Sequence, residues 1–275
     1  MTRSAMTAAA IAVAAVGGLV PCATTRAVAQ DGPAAASPPG LSVGGAIAIK
    51  PKYEGAKDYD VYGFPLIFPS FGGGLGNRIS VRGADDVRVR LLDFNGFEAG
   101  ALGGYAFGRD DNDADILRGI GDVDGGLVLG GFAGYRFGML LLDVSYHHTV
   151  TGDDGAQVSF GGEVKTPVAP GFELTTRVGA TYADDAYMST HFGITATQAA
   201  NSWVGLPVYD ADAGIKDVHA SMSARIDLTD RWVLRTGIKY THLVGDAADS
   251  PVVEREDQLS GSLGLSYRFD MDLFR

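Results

Sequence analysis

From Asp257 to Phe269 the chain alternates strictly. Leu259, Gly261, Leu263, Leu265, Tyr267 and Phe269 fall on one side; Gln258, Ser260, Ser262, Gly264, Ser266 and Arg268 fall on the other. Successive side chains of a strand point to opposite faces, so this stretch is one strand with an oily face and a polar face. The pattern recurs upstream. In 171–182, Phe172, Leu174, Thr176, Val178, Ala180 and Tyr182 oppose Glu173, Thr175, Arg177, Gly179 and Thr181. In 212–228, Val218, Ala220, Met222, Ala224, Ile226 and Leu228 oppose His219, Ser221, Ser223, Arg225 and Asp227. In 231–243, Trp232, Leu234, Thr236, Ile238 and Tyr240 oppose Arg235, Gly237, Lys239 and Thr241.

Carried along the chain, the pattern predicts twelve strands, at about 41–50, 59–68, 75–82, 86–93, 95–107, 125–137, 139–150, 156–166, 171–182, 212–228, 231–243 and 257–269. The first four alternate less regularly, and Pro65 interrupts the second. No amphipathic helix of twelve residues or more is predicted, and the segment 183–211 has room for a further hairpin.

Alternation alone fits either a half-buried sheet in a soluble protein or a membrane barrel. Two features favour the barrel. The long connections, 108–124, 183–211 and 244–256, follow strands five, nine and eleven. The connections after strands four, six and ten are only Phe94-Asn95, Gly138 and Thr229-Asp230. Long loops at one end and tight turns at the other are the asymmetry of outer-membrane barrels. Aromatics also bracket strands on one face: Phe97 with Phe107, Phe172 with Tyr182, and Trp232 with Tyr240. Ten tilted strand residues rise about 25 Å, the height of an apolar band between two aromatic girdles. The fold expected is an all-β, transmembrane, antiparallel up-and-down barrel of about twelve strands over 41–275. Its last strand should pair with Leu41–Lys50.

The N-terminus changes the compartment. Arg3 precedes the apolar run Ala8–Val20, and Ala27-Val28-Ala29 offers small residues for a signal peptidase. Residues 1–29 read as a signal peptide and 30–40 as a Pro/Ala-rich periplasmic leader, so the location expected is the cell outer membrane. The single cysteine, Cys22, lies in the signal, which leaves a mature chain without disulfides or thiolate metal sites. Net charge is −11 for the whole chain, and −13 once Arg3 and Arg26 are lost with the signal. That acidity excludes nucleic acid as a partner.

Candidate chemistry is sparse. Arg88, Arg90, Glu98, Arg136, Asp143, His147, Glu163, Lys165, Glu173, Arg177, Arg225, Asp227, Arg235, Lys239 and Arg268 fall on the lumen side. Mixed signs there read first as cross-strand pairing that fills a narrow barrel, and second as a polar path for solutes. Asp111, Asp113 and Asp115, followed by Asp122 and Asp124, have the spacing of a calcium loop's start, but Ile116 stands where its turn glycine belongs. A solvated acidic loop is the reading taken, with no metal and no cofactor expected. Of the histidines, His242 near Ser250 comes nearest to a hydrolase pair, and the spacing does not single it out. No catalytic residue is assigned, and the protein is expected not to be an enzyme.

Several segments resemble the MipA/OmpV family of outer-membrane proteins. They are Pro51-Lys52-Tyr53-Glu54-Gly55 with Tyr59; His191-Phe192-Gly193-Ile194-Thr195 with Gln198-Ala199-Ala200, Ser202, Tyr209 and Gly214; Gly245-Asp246-Ala247-Ala248-Asp249-Ser250-Pro251; and Gly264-Leu265-Ser266-Tyr267-Arg268-Phe269. Ser262, Gly264, Tyr267 and Phe269 also resemble, in spacing, the terminal signal read by the barrel-assembly machinery, although Asp270–Arg275 follow it. The resemblance implies a barrel set in outer-membrane lipid and lipopolysaccharide. It further implies a non-catalytic scaffold joining the lytic transglycosylase MltA to a murein synthase. A small solute channel and an outer-surface adhesin are the alternatives.

Overall fold

The computed structural model describes residues 40–70, 78–153 and 155–270. The expected signal peptide, the leader as far as residue 39, and the residues after Asp270 lie outside the described residues.

Twelve antiparallel strands form one sheet: β1 (Gly40–Pro51), β2 (Tyr59–Ser70), β3 (Ile79–Val81), β4 (Val87–Phe94), β5 (Phe97–Ala106), β6 (Gly126–Phe137), β7 (Leu140–Thr149), β8 (Gly155–Ala169), β9 (Phe172–Ala183), β10 (Gly214–Asp227), β11 (Trp232–Leu243) and β12 (Asp257–Asp270). Their spatial order is β2-β1-β12-β11-β10-β9-β8-β7-β6-β5-β4-β3. The first and last strands therefore pair, as expected, with Ile47 opposite Leu263 and Ala46 opposite Gly264. The two edges are β2 and β3. Near their long-loop ends, Lys50 lies 4.7 Å from the Tyr62 ring centre and 4.3 Å from that of Phe107. Side chains of β1 and β2 thus meet a residue just past β5, so the sheet curls round into a barrel. Pro65 sits in β2, at an edge where a missing N–H is tolerated.

Alternation decides which face is which. In β7, Leu140, Leu142, Val144 and Tyr146 are exposed, while Leu141, Asp143, Ser145 and His147 are buried. The outer face is apolar along other strands too, with Ile47, Val61, Leu129, Val178, Ile238 and Leu263 all exposed. Charged residues turn inward. A soluble protein would invert this arrangement; lipid on the outside satisfies it. No helix among the described residues is long and apolar enough to cross a membrane.

Turn chemistry sets the short-turn end. Asn95 and Gly96 both have positive φ, at 50° and 84°, which closes β4 onto β5 as a two-residue hairpin of the Asn-Gly kind. Two residues also join β6 to β7 and β8 to β9, and four join β10 to β11. At the other end the connections 107–125, 184–213 and 244–256 are long. The hairpin that 183–211 had room for is not there. That segment holds two short helices instead, α1 (Asp185–His191) and α2 (Ala196–Asn201), and α3 (Gly245–Asp249) follows β11. The third strand is shorter than expected, three residues, with 71–77 outside the described residues.

Candidate functional site: the loop cap and the lumen beneath it

The long loops fold against one another. One apolar cluster joins Ala183, Tyr187, Met188, Phe192, Ala211, Leu243 and Ala247; a second joins Tyr53, Ala56, Leu117, Ile120, Ile194 and Val252. Fully burying a side chain such as Phe192 or Leu117 contributes about 1.5–3 kcal/mol, which offsets the entropy of ordering the loops. Local signals shape them. Asp184 caps α1 by accepting from the Tyr187 amide, and Thr195 with Gln198 forms a capping box on α2. Gly55 has φ +96°, and an added Cβ would lie 2.6 Å from Val253 Cγ2, so only glycine fits. Its carbonyl accepts from the Glu254 and Arg255 amides at 2.8 and 2.9 Å.

Three of the four segments that carried the family resemblance converge here; Gly264–Phe269 runs to the other end of β12. The Tyr53 hydroxyl donates to the Val252 carbonyl at 3.2 Å, and the Ser250 hydroxyl donates to the Phe192 carbonyl at 2.5 Å. Asp246 accepts from the Asp212 amide at 3.0 Å, and the Tyr209 hydroxyl donates to the Asp246 carbonyl at 2.9 Å. Gly245 to Asp249 form α3 and lead through Ser250 to Pro251. The motif thus staples loop 244–256 onto loop 184–213. Ser250 is buried in that contact, while His242 turns to Asp257 at 2.8 Å. The two therefore do not form a serine–histidine pair.

Under the cap lies a polar cluster. Glu54 accepts from Lys216 at 2.5 Å and from the Tyr187 hydroxyl at 3.1 Å. Lys216 also meets Asp217 at 3.2 Å, and Asp217 meets His219 at 2.9 Å. The Glu54 side chain is 37% accessible, yet burial is the largest influence on its ionisation. Burial raises its pKa, but Lys216, joined by His191 once that imidazole is protonated, outweighs burial and holds it below the usual carboxylate range. Burial pushes His191 down to about 4, so the imidazole is neutral at ordinary pH. Burial also pushes the Tyr187 and Tyr53 hydroxyls up.

One lumen wall, from β4 to β9, is filled by charge. Asp143 binds Arg82, Arg88 at 2.7 Å and Arg177 at 2.6 Å. Arg82 also binds Glu163 at 2.8 Å, and Asp86 grips Arg88 at 2.7 and 2.9 Å. Glu98 meets Arg90 and Arg136 at 3.4 and 3.5 Å. Sequence alternation identified most of these residues. It did not single out Arg82 and Asp86, which stand at the ends of the expected strands 75–82 and 86–93 and lie in the β3–β4 loop of the structure.

The opposite wall, from β10 through β12, is more open. Arg225 pairs with Asp227 at 2.8 Å, and Arg235 donates to Ser266 at 2.9 Å. Ser223, Lys239 and Ser262, on the same inward face, remain exposed. At the short-turn end a cleft of about 500 Å³ is lined by Pro170, Gly171, Asp227, Thr229, Asp230, Val233 and Arg268.

Of the remaining candidate residues, the aromatics lie towards the strand ends and Ser262 and Gly264 lie in the middle of β12. Trp232 packs edge-on to Tyr267 at 5.0 Å, and Tyr267 to Phe269 at 4.7 Å. Gly264 lies where an added Cβ would be 2.9 Å from Leu66. Ser262 pairs with Ala48 and Gly237. Tyr182 and Tyr240 are exposed, and Phe97 and Phe172 are half-buried. Phe107 packs against Tyr62 at 5.8 Å besides Lys50. In the acidic loop, Asp110, Asp111 and Asp122 come together, rather than the Asp111-Asp113-Asp115 set. Two of these carboxylates accept from nearby amides: Asp110 from the Asn112 amide, and Asp122 from the Asp111 amide.

An oily outside, a charged inside, tight turns at one end and a folded loop cap at the other define an outer-membrane β-barrel; in such barrels the short turns face the periplasm. Residues 43–269 match the family model described as MltA-interacting protein MipA, and the chain belongs to that family. It is an outer-membrane protein. Among curated relatives, "Putative outer membrane protein YiaT" of Escherichia coli (strain K12) is 29% identical over 97 residues, 35% of this chain and 38% of that protein. The match thus spans well under half of the relative. Among solved structures, the NanC porin has a TM-score of 0.38 at 8% identity, covering 83% of this chain and 98% of that one. The translocator domain of the autotransporter NalP from Neisseria meningitidis has a TM-score of 0.39 at 11% identity, covering 86% and 90%. These likenesses are too loose to speak to function.

Proposed function

We propose that the protein is a non-catalytic outer-membrane barrel that tethers a peptidoglycan-remodelling enzyme, of the lytic transglycosylase class, at its periplasmic rim, with a murein synthase as a second client. The observation that carries this reading is membership of the MltA-interacting family over nearly the whole barrel. Two features of the geometry support it. The cap closes on its own apolar core and leaves the outer end self-contained. The cleft among Asp227, Thr229, Asp230 and Arg268 gives the rim a polar niche of mixed charge that turns of two to four residues would not otherwise offer. Tyr267, Phe269, Gly264 and Ser262 serve as the signal to the assembly machinery. Trp232, Tyr240 and the other strand-end aromatics anchor the barrel among lipid and lipopolysaccharide. Pull-down with the folded barrel tests the tether. Enrichment of a lytic transglycosylase over an unrelated barrel is the result expected, and equal recovery rejects it.

A second reading, a small solute channel, rests on the inward exposure of Ser223, Lys239 and Ser262. It predicts discrete conductance steps in planar bilayers.

A further inference from the structure

The cleft at the short-turn end holds two opposite charges that do not pair. Arg268, on the inward face of β12, and Asp230, in the β10–β11 turn, both line it. Arg268 is half-buried and Asp230 exposed, and neither makes an ion pair or a side-chain hydrogen bond among the described residues. They share one cleft of about 500 Å³ without meeting each other. Asp227, on the same wall, is already taken by Arg225 at 2.8 Å. Arg231, beside Asp230, turns instead to the Tyr267 hydroxyl, on the outward face, at 3.1 Å.

The arrangement has a direction. On the lumen side of Arg268 the wall adds further cations. Arg225 stands directly opposite Arg235 across β10 and β11, and Arg235 donates to Ser266, two residues before Arg268 on the same face. On the rim side stands Asp230. The Thr229 side-chain oxygen accepts from the Arg231 and Trp232 amides at 3.2 and 3.0 Å, which leaves its O–H to donate. A lone anion in the cleft would meet Asp227 and Asp230, and a lone cation would meet Arg268. A molecule that carries both charges satisfies each end, and the planar fork of Arg268 suits a carboxylate. The volume falls within the range of about 300–1,000 Å³ that small-molecule sites occupy.

We propose that this cleft binds an α-amino carboxylate, a small zwitterion, with the carboxylate on Arg268 and Thr229 and the ammonium on Asp230. Two periplasmic sources supply that group: free amino acids, and the diamino acid of peptidoglycan stem peptides, whose side chain ends in a free α-amino carboxylate when it is not crosslinked. The inference rests on the periplasmic placing of the rim and not on the tether.

The test is calorimetric titration of the full folded chain in detergent micelles at constant ionic strength. Glycine, a soluble stem tripeptide ending in the diamino acid, acetate and methylammonium are added in separate arms. Saturable binding of a zwitterion is expected, at least tenfold tighter than acetate or methylammonium. Arg268→Gln and Asp230→Asn should each weaken it at least fivefold. A stem tripeptide at least tenfold tighter than glycine assigns the cell wall as the source; a smaller difference assigns free amino acids. No saturable binding of either zwitterion, equally tight binding of acetate or methylammonium, or an unchanged affinity in either variant overturns the proposal. Should Arg268→Gln fail to fold, Asp230→Asn, in an exposed turn, decides alone. No enzyme is present in the titration, so its failure and the failure of the tether are separate results.

Discussion

Glu54, in the loop after β1, accepts a 2.5 Å hydrogen bond from Lys216, 162 residues later on β10. The pair ties the first outer loop to the wall under the cap, and its Lys216 end is almost wholly buried. Glu54→Gln should destabilise the folded cap by about 2 kcal/mol, below the full cost of breaking a buried pair because the carboxylate is partly accessible. Hydrogen exchange in 184–213 reads the effect. Unchanged protection there would show that the pair does not hold the cap.

Acid should loosen the cap through His191. Its pKa falls from 6.5 in the unfolded chain to about 4 in the folded one. Between those values the unfolded state binds the extra proton, so stability is complete above 6.5 and is lost as pH falls towards 4. Glu54, whose pKa is also held down, adds a loss of the same sign at lower pH. Allowing for the accessible part of the ring, His191 accounts for about 2 kcal/mol. Proteolysis of the outer loops across this range should accelerate in the wild type and stay flatter in His191→Gln; identical profiles would remove His191 from the account.

Ser250 is the staple between two loops. Ser250→Ala leaves the buried Phe192 carbonyl without its donor and should cost about 1–2 kcal/mol. Cleavage of loop 184–213 by added protease on intact cells is the readout, with barrel assembly unchanged. Wild-type resistance would contradict the staple.

Asp143 holds three arginines together. Asp143→Asn leaves Arg82, Arg88 and Arg177 facing one another and should destabilise the barrel by about 3–5 kcal/mol. A lower temperature for loss of the folded, heat-modifiable band checks this. On the open wall, Lys239→Glu should shift any conductance towards cations without changing stability; an unaltered ion preference would count against a solute path along β10–β12.

Much of this was legible in the chain because a strand repeats every two residues and a barrel repeats strands. Eleven of the twelve strands fall close to the positions given by alternation; only β3 is much shorter. Inward Asp143 and outward Leu142 follow from the same rule. The cap was not legible. Helices of seven, six and five residues are too short to display a 3.6-residue period. The contacts of Tyr53 with Val252 and Ser250 with Phe192 join residues distant in sequence. The resemblance segments did mark the positions, since Glu54, Phe192 and Ser250 all lie within them. Arg109 lay outside every strand and every motif, and its burial against the His191 carbonyl emerges only from the folded loops.

The tether at the periplasmic rim is tested most directly by photocrosslinking in intact cells. A crosslinking residue would replace Thr229 or Asp230 in the rim cleft, or Trp203, which is 76% exposed on the outer cap. Adducts with a lytic transglycosylase are predicted from Thr229 and Asp230 and none from Trp203. A rim that yields no such adduct while the barrel is folded and present in the membrane would contradict the account.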